Sequence, residues 1–228
     1  MGEGHTKKYF KYAIGEIVLV VIGILIALSI NNWNQNRKSQ AFESDMLSQI
    51  HTNLEIDKLN LSQFARNGRN AIQSSKKILA TEITKVNGDS LKFWLGDIVQ
   101  FDRFQPLTNA YEVLKSKGLD EVSNKELRLL LGSYYEGKSM HIKKSMEDIE
   151  RTFNVDWLPM LKKHIVEMKF QEYLVLDNFQ LFNERGENRN LLIINIDNYG
   201  GMVDHIEQGI VLIDGIQTII NSELNLNE

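Results

Sequence analysis

The chain has 228 residues, 43% hydrophobic and 25% charged, with two prolines and no cysteine. These proportions exclude a disordered chain, and the lack of cysteine excludes disulfides, thiolate catalysis and cysteine–metal sites. The net charge of −4 is uneven: residues 1–38 carry +3 and the remainder −7, too acidic for a nucleic-acid partner, whose phosphates need a basic stripe.

From Tyr12 to Ile30 the sequence YAIGEIVLVVIGILIALSI runs for 19 residues with one charge. As a helix this covers about 28 Å, close to the thickness of a bilayer's hydrocarbon core. The stretch from Ile17 to Leu28 is apolar all round, where a soluble helix would show a polar face. Tyr9, Phe10 and Tyr12 stand at one end and Trp33 at the other, the positions amphipathic rings favour at a membrane interface. The expectation is a short cytoplasmic tail over 1–11, a transmembrane helix over 12–30 and an extracytoplasmic helical domain over 31–228. Lys7, Lys8 and Lys11 before the span, against Arg37 and Lys38 after it, set that orientation through the positive-inside bias. In a bacterial inner (plasma) membrane the domain would be periplasmic. A cleaved signal peptide is the rival reading, since Ala27-Leu28-Ser29 has the small-x-small form, but the apolar run continues to Ile30.

Glu16 is the single charge in the span. It either snorkels to the headgroups near the positive end of the helix dipole or meets another helix in an oligomer or membrane complex. Gly15 and Gly23 could line such a contact, although the GxxxG spacing is absent.

Residues 11–34, KYAIGEIVLVVIGILIALSINNWN, carry an unusual Gly-Glu pair and an Asn-Asn-Trp-Asn exit. They resemble the N-terminal signature of a family of uncharacterised single-span membrane proteins from Bacteroidetes, which pairs this span with a soluble domain of unknown function. The stretch from Phe104 to Gly118, FQPLTNAYEVLKSKG, is similar to a second stretch of that family, with Ala-Tyr, Leu-Lys-Ser and a closing glycine at matching places. The resemblance implies a membrane anchor and a helical domain, and implies no activity.

After the span, Phe42, Met46, Ile50, Leu54, Leu61 and Phe64 follow helical steps, and no proline interrupts the chain from Ile30 to Thr84. The anchor is therefore expected to run into this helix, with Gly68 its weakest point. Asn87-Gly88-Asp89-Ser90 is a turn signal, and Ser90 can cap a short helix through Gln100. Pro106 is expected to open the next helix and Gly118 to close it. On that helix Asn109, Tyr111 and Glu112 are polar enough for a site, while Ala110, Tyr111 and Leu114 make a plain core stripe. Ser123-Asn-Lys-Glu126 is a capping box ahead of Leu127, Leu130 and Leu131, and the pattern continues through Tyr134, Met140, Ile142, Met146, Ile149 and Phe153. Trp157 and Pro159 mark a bend, a further helix is expected over Leu161–Phe182, and Asn183–Asn188 reads as a loop. Leu191–Ile196 fits helix or strand; Gly200-Gly201 separates it from a helix stripe at Val203, Ile206, Ile210 and Ile213.

Gly132-Ser-Tyr-Tyr-Glu-Gly137-Lys138-Ser139 matches the phosphate-loop pattern G-x-x-x-x-G-K-[ST], with Gly132, Gly137, Lys138 and Ser139 as the phosphate and magnesium groups. The run Leu191–Asp197 could supply a strand ending in a magnesium-binding aspartate. The match lies where the capping box predicts helix, Tyr134, Tyr135 and Glu136 crowd the loop, and the favoured topology removes it from ATP. We read it as a decoy; the alternative function it would give is a membrane-tethered P-loop nucleotide-binding protein facing the cytoplasm. His5, His51, His141, His164 and His205 show no metal-ligand spacing, and Glu147, Asp148 and Glu150 alternate with Lys143, Lys144 and Arg151 as on a solvated helix face.

The sequence thus predicts an all-α fold, a transmembrane helix followed by an antiparallel bundle of four to six helices. No catalytic residue, cofactor or metal is expected. The partners expected are the lipid bilayer and either further copies of the chain, as a homo-oligomer, or the other subunits of a membrane complex.

Overall fold

The computed structural model describes residues 3–84, 88–178 and 180–224, with side chains from Ile14 onward. His5, Lys7, Lys8, Tyr9, Phe10, Lys11, Tyr12 and Asn87 therefore lie outside the described side chains. The fold is all-α with one small hairpin: α1 Glu3–Ala80, α2 Gly88–Ile98, α3 Asn109–Lys117, α4 Lys125–Gly132, α5 Ser139–Thr152, α6 Leu158–His164, β1 Ile165–Lys169, β2 Tyr173–Leu176 and α7 Glu187–Glu223. A 3-10 turn, Leu119–Glu121, follows α3, and π-helical turns Ser133–Lys138 and Phe153–Trp157 join α4 to α5 and α5 to α6. The chain forms two compact units, residues 1–46 and residues 47–228.

Within the second unit, α1 buries Leu47, Ile50, Leu54, Asp57, Leu61, Ala65, Gly68, Ala71, Ser75 and Ile78. Steps of three and four residues put all of these on one face of a helix. α1 runs through Gly68 without a break. A Cβ there would lie 2.6 Å from the Met202 Cε and 2.8 Å from the Val203 Cγ2, so glycine lets α7 come close. The two helices run antiparallel: Gln217 reaches the His51 carbonyl, Lys58 pairs with Asp214, and Arg69 with Glu207 at 2.5 Å. Helix α5 lies against α7 in the same sense, with Lys138 on Gln208 and Asn198 on Thr152. Gly209 gives the close approach there, 2.6 Å from its would-be Cβ to the Ile142 Cδ1.

Lys125–His164 is helical throughout, across the bend expected at Trp157 and Pro159. Proline has no N–H and its ring clashes with the carbonyl four residues back; the π-turn at Phe153–Trp157 widens the backbone just upstream and lets the helix continue. The cap is Asn124, whose side chain accepts from the Leu127 amide at 3.1 Å, one residue later than the capping box implied. Pro106 likewise precedes α3 by more than expected, since the helix begins at Asn109, while Gly118 closes it at φ 123°. Gly200-Gly201 lies inside α7, and Leu191–Ile196 is helix.

The helix expected over Leu161–Phe182 is a helix only to His164, followed by an antiparallel hairpin. Ile165, Val166, Tyr173 and Val175 are β-branched or aromatic, types that suit a pleated strand better than a helix. Leu174 is buried in a core with Leu91, Leu95, Trp157, Leu161 and Phe182. Gly96 admits the hairpin backbone, for a Cβ there would sit 2.3 Å from the Glu172 carbonyl oxygen. His164 and Asp177 close the hairpin's base by a backbone bond of 2.8 Å and a side-chain contact of 3.0 Å.

Candidate functional site

In the first unit, α1 is long and apolar enough to cross a membrane: its best 18-residue window has a mean hydropathy of 2.5 and none of it is buried. Ile17, Leu19, Ile24, Ile26 and Ile30 are all more than half exposed, and so are neighbours on every side of the helix. Glu16 is exposed on that helix, and a Cβ at Gly15 or Gly23 would meet nothing within 4 Å. The structure therefore assigns these three residues no contact among the described ones. Trp33, at the end of the apolar run, is 63% exposed with the Arg37 guanidinium 5.9 Å from its ring. An aromatic ring beside a cation at this place suits the headgroup layer.

In the second unit, the phosphate-loop match is helical from end to end. Gly132 ends α4, Ser133–Lys138 forms the π-turn, and Ser139 opens α5. Its amides are therefore committed to the helix ladder and do not wrap an anion. Lys138 donates to Gln208 at 2.7 Å, and Ser139, fully buried, donates to the Tyr135 carbonyl at 3.0 Å. Asp197, on the solvent side of α7, is likewise helical.

What the π-turn does instead is bury two consecutive tyrosines. Neighbours on a regular helix diverge by about 100°, and the wider π-turn brings two adjacent side chains nearer to one face. Here Tyr134 and Tyr135 are both buried, at 0% and 5% exposure. The Tyr134 hydroxyl donates to Asp57 at 2.8 Å, and the Leu107 amide donates to the same carboxylate at 3.2 Å. Asp57 is itself fully buried, so one acid of α1 holds both the π-turn and the stretch that leads into α3. Burial pushes its pKa above the ordinary carboxylate value, and the two hydrogen bonds pull it part of the way back. Tyr135 stacks on Tyr111 with ring centroids 4.4 Å apart and planes 14° from parallel. Tyr111 donates to Glu136 at 2.8 Å, and Lys115 pairs with Glu136 at 2.7 Å. The Lys115 and Tyr111 bonds hold the Glu136 carboxyl below its usual range. All three tyrosine hydroxyls are pushed up, burial being the largest cause, so they stay protonated.

Asp57 was the residue to notice. It falls on the apolar stripe of α1 between Leu54 and Leu61, where an acid has no place unless a donor meets it. Of the polar residues weighed on α3, Tyr111 joins this cluster, whereas Asn109 faces Asn53 at the surface, 2.7 Å away. His141 and His205 come together, ring centroids 6.1 Å apart, but among the described residues no group of three or more histidines and acids could hold a metal ion. A groove of about 590 Å³ lies between α6 and the start of α7 and is lined by Asp156, Lys163, His164, Asn190 and Ile194 among others.

The class these features define is a mostly helical protein with a helix near its N-terminus that is long and apolar enough to cross a membrane. The profile of a family of unknown function (DUF6090) matches residues 16–84, less than a third of the chain, from Glu16 to the end of α1 and just beyond. No curated protein and no solved structure matches the chain.

Proposed function

We propose that this protein is a membrane-anchored helical module that binds a partner or ligand without catalysing a reaction. The anchor would be the apolar part of α1, and the domain from Leu47 onward would lie outside the cytoplasm. The observation that carries the reading is the α1 segment from Ile14 to Ile30, whose large apolar side chains are exposed on every side. Water disfavours that much apolar surface by about 25 cal/mol per Å², and monomeric soluble proteins rarely expose contiguous patches above a few hundred Å². Further support is the continuation of α1 into the packed stripe Leu47–Ile78, which leaves no structural break at the small-x-small site Ala27–Ser29. The non-enzymatic reading rests on Asp57, Tyr134 and Tyr135, which are closed off from solvent and serve as a lock between helices. We further read the protein as a homo-oligomer or a subunit of a membrane complex, with Glu16, Gly15 and Gly23 the residues of the anchor best suited to a helix contact.

The test uses the cysteine-free sequence. A single cysteine replacing Asp204, an exposed residue of α7, is treated in intact cells with a maleimide that enters the periplasm but does not cross the inner membrane. Labelling in intact cells is the expected result. Labelling only after lysis would place the domain in the cytoplasm and reverse the proposed orientation.

A further inference from the structure

Among the described residues, the hairpin has an outer strand that no other element covers. All five residues of β1 are exposed, and the sheet has two strands, so the far edge of β1 carries unpaired backbone donors and acceptors. Val166 is 65% exposed, Ile165 42% and Met168 38%, an apolar content that open edges usually avoid. The exposed Val155 and Ile194 add apolar surface around the groove that His164 borders, at the foot of β1.

We propose that this edge pairs with β1 of a second copy of the chain, antiparallel, in the register that places Met168 opposite itself. The charges on the strand select that register. Glu167 and Lys169 lie on one face of the strand, two residues apart. With Met168 on the two-fold axis, each Glu167 faces the second copy's Lys169, giving two opposite-charge pairs at directly opposed positions. A two-fold at Glu167 would instead oppose two carboxylates, and one between Glu167 and Met168 would set the acid against methionine. Charges placed to guard an edge would repel a second copy; these attract one in a single register. Both retain capacity for the new pairs: Tyr173 donates to one Glu167 oxygen at 2.5 Å, and Lys169 holds Glu172 at 2.6 Å with one of three ammonium hydrogens. The bulge between Ile165 and Glu167 confines regular pairing to the Glu167–Lys169 end. So short an edge relies on the high local concentration of chains anchored in one membrane. The inference thus deepens the oligomeric part of the function proposed above and rests on it.

The experiment is register-specific disulfide cross-linking of the full-length chain in native membranes. Paired residues in an antiparallel sheet have Cα atoms about 5.5 Å apart, within disulfide reach. Met168→Cys should give a covalent dimer under mild oxidation. Val166→Cys, whose two copies would lie roughly 13 Å apart along the strand, should give at least about tenfold less. Adding Glu167→Lys to Met168→Cys should lower the cross-linked fraction severalfold, and adding Lys169→Glu as well should restore it. That exchange guards against a mere loss of folding. A cross-link at residue 168 indifferent to these charges, or one as strong at residue 166, overturns the register. If light scattering of the detergent-solubilised wild type gives a dimer but Met168→Cys does not cross-link, the edge proposal falls and the oligomer stands. A monomer by both measurements removes both.

Discussion

Replacing Tyr134 with phenylalanine removes one donor from a fully buried carboxylate and leaves the packing of the ring intact. Hydrogen bonds to charged groups contribute about 1.5–3 kcal/mol, and those between neutral groups about 0.5–1.5. The cost should therefore depend on whether Asp57 is ionised. Its folded-state pKa is raised, burial being the largest cause, so the protonated form stabilises the fold below the ordinary carboxylate pKa. That stabilisation is lost as pH rises through the folded value. Tyr134→Phe removes a bond that lowers this pKa, pushing it further up and steepening the loss. The expected destabilisation is about 1 kcal/mol at a pH below the folded-state value of Asp57 and about 2 kcal/mol at a pH above it. The assay is denaturant unfolding of the full chain in detergent, followed by near-ultraviolet circular dichroism at both pH values. In an Asp57→Asn background the acceptor survives without its charge, and the pH dependence of the tyrosine substitution should disappear. A cost that is the same at both pH values, or larger in acid, would refute the coupling.

Tyr135 offers the opposite case: its hydroxyl is buried with no hydrogen-bond partner, so Tyr135→Phe should leave stability unchanged or raise it by up to about 1 kcal/mol in the same unfolding assay. Gly96→Ala would drive a methyl into the Glu172 carbonyl, a backbone group that cannot swing aside; faster hydrogen exchange over residues 165–176 and a loss of about 1–3 kcal/mol are expected. Gly209→Val meets the flexible tip of Ile142 and should cost about 1–2 kcal/mol, with exchange rising along α5 and not in the hairpin. Asn195→Ala would leave the buried Trp157 indole N–H without its acceptor, and a loss of about 1–3 kcal/mol should appear as a lower unfolding midpoint.

The long helices were legible because their stripes are long. Leu47–Ile78 and Val203–Ile220 repeat apolar residues over many turns, and that periodicity survives a stray polar residue. The hairpin was not legible. Its strands are five and four residues, β1 is exposed on both faces and so does not alternate, and its turn lacks the Asn-Gly or Asp-Gly pair that would mark it. Gln171 occupies the left-handed position there, at φ 66°. Gly200-Gly201 looked like a break because isolated glycines weaken a helix, but flanking Tyr199, Met202 and Val203 are buried and hold the turn. The π-turns leave no residue signature of their own. Only the pairing of adjacent buried tyrosines with an acid on a distant stripe betrays the first, and that relation is three-dimensional.

The π-turn at Ser133–Lys138 also has a meaning in chain length. One surplus residue would rotate the rest of a regular helix by about 100°, and a π-turn absorbs it, so that the helices on either side keep a common face. Removing a residue between Ser133 and Lys138 would therefore let the turn close to regular α-helix, with Leu127, Leu131 and the Ile142–Met146–Ile149 face still on the buried side. Among related sequences, a chain one residue shorter at this point should keep its apolar pattern on both sides of the gap and lose one of the two adjacent buried tyrosines. Where the lost tyrosine is the one at the position of Tyr134, the acid at the position of Asp57 should have given way to an apolar residue.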